Sequence, residues 1–539
     1  MKVSGNLVDI HKRKIFPAMI NIDTGRIKKI EKINSGGTGF IIPGLIDAHI
    51  HIESTMVTPG SFAIAAVSRG TTGVVSDPHE IANVIGIDGI NYMIEDGKKT
   101  PFKFYFGAPS CVPATEFESS GAKLGTIEIG NLLKRDEIKY LAEMMNFPGV
   151  INGNKDILEK ISLAKKFSKP IDGHAPGLTG SSLRKYVKAG ITTDHECSSI
   201  EEAIEKISLG MKIIIREGSA GRNLDALKDL FRIYPDMIML SSDDIHPEML
   251  KKRHLDKLLA LLINEGYDLF NVIRSVTLNP VSHYKLDSGL LREGDYADFV
   301  LVDDLKNMNV LETWINGEKV FDRGRVLFEY RHGAEINQFN CSRIIKEELT
   351  IKNTGKEIRV ITAFDGDLFT KEITQETGGR KTIESNLEED ILKIVVKDRY
   401  KDARPSVAFI KGFGLKKGAF ASSVAHDSHN IICVGTSDDE IVNAINEIVK
   451  MKGGLAVSEG RSIKSMQLNI GGIMSDQPVL QVADRYESLS ELVKEMGCTM
   501  SAPFMTLSFM ALLVIPELKL SDRGLFDGKK FCHVPLFLE

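Results

Sequence analysis

Cysteine is scarce: six in 539 residues, at 111, 197, 341, 433, 498 and 532, with no C-x-x-C pair among them. That scatter argues against a disulfide framework and fits a reduced, cytoplasmic compartment. A basic surplus is also missing. The 68 Lys and Arg stand against 73 Asp and Glu, for a formal net charge of −5, so nothing in the balance asks for nucleic acid or an anionic membrane as partner. The longest apolar run, Phe504 to Ile515, stops at Pro516. It is about half of what spans a bilayer, so it is expected in a core. The opening MKVSGNLVDIHKRK carries charges where a signal peptide needs its apolar stretch. H-E-x-x-H, the phosphate-binding G-x-x-x-x-G-K-[ST] and P-C-x-x-C are all absent, which removes three common metal or nucleotide chemistries.

What is present is a change of pattern along the chain. VSGNLVDI and AMINIDTGRIKKIEKI, within residues 1–40, alternate apolar and polar around a turn at Asp23–Arg26 and read as short strands. Between 41 and 285, eight short apolar runs alternate with amphipathic stretches such as DILEKISLAKKF. The runs are GFIIPGLIDAHIHI, TGVVSDPH, FKFYFGAPS, IKYLAEMM, PIDGHAP, ITTDHE, MKIIIREGS and MIMLSSDD. Eight alternating units predict an α/β chain built on a (β/α)8, TIM-like barrel, with the site at the C-terminal ends of the strands. After 285 the alternating style returns, with a turn at Asn316-Gly317. Residues 1–40 and 286–335 are therefore expected to share a small β-sandwich domain built from both flanks. Residues 340–539 are expected to form an additional α+β C-terminal domain.

The chemistry starts in PGLIDAHIHIE. His49 and His51 are two apart, so on a strand both imidazoles face one side. An H-x-H pair alone is a weak signal. Four other strand ends add to it: Glu143 in LAEMM, His174 in DGHAP, His195 in TTDHE and Asp243 in SSDD. Nitrogen and oxygen donors without thiolate favour Zn, Mn or Fe. Six donors exceed what one tetrahedral ion uses, and a carboxylate bridging two ions would employ them all.

PGLIDAHIH, followed by histidines on the fifth and sixth strands and an aspartate on the eighth, resembles the amidohydrolase superfamily. More narrowly, PGLIDAHIHIESTM, VVSDPHEIANV, LAEMMNFPGVI, DGHAPGL, TTDHE and SVAHDSHNIICVG are similar to the microbial adenine deaminases, over nearly the whole chain. The resemblance implies hydrolytic deamination of adenine to hypoxanthine and ammonia. It implies two divalent ions, Mn or Fe(II) with Zn also possible, on His49, His51, His174, His195 and Asp243. It puts Glu143 where many binuclear relatives carry a carbamylated lysine; Lys155, in the loop-like NGNKD, is the lysine alternative. A homodimer or larger homo-oligomer is the expectation for an enzyme of this size. The alternative is another amidohydrolase acting on a different nucleobase or a cyclic amide.

C6 of adenine is a poor electrophile and an amine a poor leaving group. Water must become hydroxide near neutral pH, which coordination to a metal achieves. A carboxylate must then shuttle the proton, and Asp243 is the candidate, with Asp244 one register step away. SDPHE offers His79 and Glu80 for acid–base work and Asp77 for purine contact. Asp77 is equally a helix N-cap with Pro78 at the first helical position. In REGSAGRN, which opens with Arg216, a purine N–H could meet Glu217, and ring nitrogens the amides of Gly218 and Ser219, unless the segment is simply a glycine turn. HDSHN (His426, Asp427, His429) reads as a metal site or a hydrogen-bonded turn, near the active site as a lid from the C-terminal domain. Met144, Met145 and FMTLSFM are read as core filler, and Trp314 as packed in the small β-domain.

Overall fold

The computed structural model describes residues 1–37, 39–219 and 221–538. Each of the eight expected runs holds a strand. They are β1 (Leu45–Ile50), β2 (Thr71–Ser76), β3 (Lys103–Ala108), β4 (Ile138–Met144), β5 (Ile171–Gly173), β6 (Thr193–Asp194), β7 (Lys212–Arg216) and β8 (Ile238–Ser241). β1 to β5 make one parallel sheet and β6 to β8 another. The seams between them are stitched. Thr192 N–H donates to Ile171 O at 2.9 Å, and Asp243 N–H donates to His49 O at 2.9 Å, beside a parallel bridge between Ile50 and Asp243. The result is a TIM-like barrel. All residues of β1, β2 and β8 are buried, as expected for parallel strands covered on both faces.

Local chemistry sets the helices around the strands. In Lys155–Lys166, Asn154 caps the Ile157 N–H, Asp156 sits in the first turn and Lys165 and Lys166 in the last. Cap and charges both match the helix dipole. The helix buries Ile157, Ile161 and Ala164, spaced four and three apart.

Strands from both flanks share one continuous eight-stranded sheet, in the order Arg325–Val326, Glu318–Asp322, Val310–Ile315, Phe299–Val302, Phe40–Pro43, Lys2–Asp9, Lys14–Asp23, Arg26–Lys32. Phe40–Pro43 was expected to lead the first barrel strand. It instead pairs with Phe299–Val302 and Lys2–Asp9, and the barrel begins at Leu45. Gly44 separates the two. A Cβ there would lie 2.3 Å from Thr72 Oγ1, so glycine is what lets the chain pass from one sheet to the other. Trp314 stacks on Phe299 at 5.4 Å in this sheet's core, with Ile20 and Ile22 from the N-terminal flank.

Beyond residue 350, a nine-stranded sheet carries the helices Asp438–Met451, Val479–Glu495 and Pro503–Phe509. Helix Asp438–Met451 buries Ile441, Ala444, Ile445 and Ile448 along one stripe. The HDSHN turn joins two strands of this sheet, Ala419–Ser422 and Ile431–Gly435, and reaches the barrel rim. Among the described residues no helix is long and apolar enough to cross a membrane.

Candidate metal centre

The barrel rim brings the six expected donors together. Glu143, next to last in β4, has one oxygen toward each half of the cluster. Its Oε1 lies 3.3 Å from His51 Nε2, while its Oε2 lies 2.7 Å from His174 Nδ1 and 3.2 Å from His195 Nε2. Asp243 Oδ1 lies 3.5 Å from His49 Nε2 and 3.3 Å from His51 Nε2. Asp243 has φ +52°, a left-handed conformation that aspartate tolerates better than most residues. The adjacent Asp244 is engaged by Ser54 Oγ at 2.5 Å.

These side chains fit a divalent cation. His51 Nδ1–H donates to the Asp77 carbonyl at 3.1 Å, which leaves the Nε2 lone pair facing the two carboxylates. Both ring nitrogens of His49, and Nδ1 of His195, are buried without a hydrogen-bond partner. Imidazole nitrogens left so in a buried, acid-lined cluster are the arrangement a cation satisfies. Burial alone would raise the Glu143 carboxyl, but hydrogen bonds from His174, His195 and His51 hold it well below the usual range. Asp243 is likewise kept ionised against burial, first by the charge of Arg216 and then by His49 and His51. Lys155 is no rival bridge, because it opens helix Lys155–Lys166 as an exposed residue.

Two further groups complete this side. Arg216, last in β7, donates from Nη1 to Asp243 Oδ2 and Glu196 Oε1, both at 2.6 Å, and from Nη2 to Glu196 Oε2 at 2.8 Å. Glu196 itself lies 3.3 Å from His195 Nε2. The signal for Glu196 was its place directly after a strand-end histidine. The residues expected next to Arg216 fall elsewhere. Glu217 turns to Arg253 (3.5 Å) and Arg222 (3.8 Å), outside the cleft, because successive strand residues face opposite sides. Ser219 spends its hydroxyl on His246 N–H at 2.9 Å and its amide on Asp244 O at 2.7 Å. It braces the β8 loop, and its amide is no longer free for a ring nitrogen. Asp77 does not cap the next helix: Pro78 is the N-cap of His79–Ile85, with no side-chain cap. The Asp77 carboxylate instead meets His79 Nδ1 at 3.1 Å.

Residues 40–320 match the amidohydrolase family model and residues 367–532 the adenine deaminase C-terminal domain. An adenine deaminase of Sulfurovum sp. (strain NBC37-1) is 52% identical, covering 98% of this chain and 98% of its own length. Those of Methanosarcina mazei and Salinibacter ruber are each 49% identical, covering 100% of this chain and 100% and 99% of their own. The chain belongs to the adenine deaminase family of the amidohydrolases.

The C-terminal part of this family member forms the other wall of the cleft. Phe509, Leu512 and Ile515 line it, together with His426 and Asp427 of HDSHN. The apolar run Phe504–Ile515 is thus buried, as expected, yet part of it faces the site. His426 stacks on Phe509 with ring centres 4.8 Å apart. Across the cleft His79 Nε2 lies 3.2 Å from Glu80 Oε1. Glu80 accepts from His426 Nδ1 at 2.7 Å and from His429 Nε2. Burial opposes its ionisation, but above all the charge of His426 holds the Glu80 carboxyl well below its ordinary range.

Proposed function

We propose that the protein deaminates adenine hydrolytically, releasing hypoxanthine and ammonia, at two divalent ions bridged by Glu143. Near-half identity along the full length supports the reaction. The observation that supports the bridge is the split of the Glu143 carboxylate, Oε1 toward His51 and Oε2 toward His174 and His195. In this reading His49, His51 and Asp243 would hold one ion and His174 and His195 the other, with the Glu143 carboxylate between them. The donor set of imidazole and carboxylate suits Mn, Fe(II) and Zn. A divalent ion bound there lowers the pKa of coordinated water and so supplies a nucleophile near neutral pH.

The chain's own groups do the rest. Asp243 is the carboxylate that takes the proton of the attacking water, and Arg216 on its Oδ2 holds it in place. His79 stands between Asp77 and Glu80, hydrogen-bonded so that it can pass a proton to the ring or the departing amine. Residues 41–285 supply this polar floor, and residues 340–539 supply an apolar roof of Phe509, Leu512 and Ile515 for a planar base.

The test is turnover by metal-stripped protein after reloading with Mn, Fe(II) or Zn, on adenine, guanine, cytosine, adenosine and a dihydropyrimidine. Metal-dependent release of hypoxanthine and ammonia from adenine is the expected result. Turnover of another member of the panel in place of adenine would keep the metal centre and overturn the substrate.

A further inference from the structure

We infer that His426 and His429 are positioning residues for Glu80, so that the C-terminal unit completes the acid–base machinery as well as roofing it. The inference rests on the proposed role of His79 and Glu80.

Glu80 lies in the first turn of helix His79–Ile85 and is 2% exposed. A carboxylate so buried persists only with donors around it. Its donors come from the other end of the chain: Oε1 accepts from His426 Nδ1 at 2.7 Å, and Oε2 from His429 Nε2. The neighbour it then holds is His79, whose Nε2 is 3.2 Å from Oε1 and whose Nδ1 is tied to Asp77.

The cluster Glu80, His426 and His429 has the composition of a third metal site, but its hydrogen bonds oppose that reading. The Ala425 N–H donates to His429 Nδ1 at 3.2 Å. Nδ1 is therefore the lone-pair nitrogen, and the proton sits on Nε2, pointing at Glu80. A nitrogen carrying that proton is a donor and no ligand. The cluster is a clamp made of two N–H groups on two carboxylate oxygens.

The clamp is itself held rigid. His429 has φ +52°, in the left-handed region that few non-glycine residues occupy. Here Arg399 Nη1 donates to His429 O at 3.2 Å, Tyr400 OH donates to Ser428 O at 2.5 Å, and Asn430 Nδ2 donates to Ser119 O at 2.8 Å. The last bond ties the turn to the barrel. Phe509 fixes the plane of the His426 ring.

The two histidines use different nitrogens, which gives a crossed test. An asparagine amide can stand in for Nδ1 and a glutamine amide for Nε2. We expect H426N and H429Q to keep most of kcat, and H426Q and H429N to lose about tenfold or more, the scale of removing a supporting hydrogen bond at an active centre. Bound metal should stay near wild type in all four, and KM for adenine in the two His429 variants. Equal loss in matched and mismatched variants would overturn the inference, as would a loss that follows metal content. Should one mismatched variant fail to fold, the partner measurement is Glu80→Gln alone and with the other mismatched change, H426Q or H429N. With the carboxylate gone, the second change should cost little more, and additive losses would overturn the clamp. Wild-type protein that fails to turn over adenine when metal-loaded would sink the proposed function as well. Wild-type turnover with no crossed pattern would sink only the clamp.

Discussion

The guanidinium of Arg216 meets the outer oxygen of Asp243 at 2.6 Å, both groups buried, and the same nitrogen reaches Glu196 at 2.6 Å. One cation thereby holds two carboxylates at the rim. Replacing Arg216 with Met leaves both acids buried without that partner, and should cost the metal-free protein about 3–5 kcal/mol. Arg216→Lys keeps the charge and loses the fork that spans both acids, so it should recover stability better than kcat. Chemical denaturation of stripped protein, together with adenine turnover, checks both statements.

His49 has no hydrogen-bond partner on either ring nitrogen, so its place in the protein makes sense chiefly as a ligand. His49→Ala should fold close to normally while losing bound metal, and turnover should fall by about 100-fold or more. Elemental analysis of the purified variant decides it. A variant that keeps its metal and its rate would contradict the role.

Phe509 is 4% exposed, stacks on His426 and lines the cleft. Phe509→Leu keeps most of the apolar volume and removes the aromatic face. Aromatic contacts of this kind are worth about 0.5–1.5 kcal/mol beyond area, so KM for adenine should rise by about 2- to 10-fold. An unchanged KM would remove Phe509 from the base-binding wall.

Glu248, in helix Pro247–Lys252, is raised to about 7 from an ordinary 4.5, chiefly by burial. A folded value above the unfolded one means the folded chain binds more protons between about pH 4.5 and 7. This group's contribution is therefore favourable at low pH and is lost as pH rises through about 7. Glu248→Gln should match wild type at pH 4.5 and be more stable at pH 8 by about 1–3 kcal/mol. Denaturant midpoints at the two pH values test the sign.

The barrel was legible because its strands are short apolar runs ended by polar residues, and because the candidate ligands follow strand ends. PIDGHAP and TTDHE show both features in a few residues, and His174 and His195 lie where that rule puts them. The β7 end shows the limit of such reading. Arg216 and Glu217 are adjacent and equally polar, yet period-two alternation sends one into the site and the other to Arg253. Asp77 misled for a similar reason: its sequence context suits an N-cap, but the buried His79 beside it claims the carboxylate. The grip of His426 and His429 on Glu80 joins residues 346 and 349 positions apart. No local pattern encodes a contact of that range, and only the packing of the C-terminal sheet on the rim creates it.

The most direct measurement is a titration of metal-stripped protein with Mn(II), following hypoxanthine formation from adenine. A centre bridged by Glu143 predicts that activity climbs to a plateau at two equivalents per chain. Full activity at one equivalent, or adenine left unchanged at any loading, would contradict it.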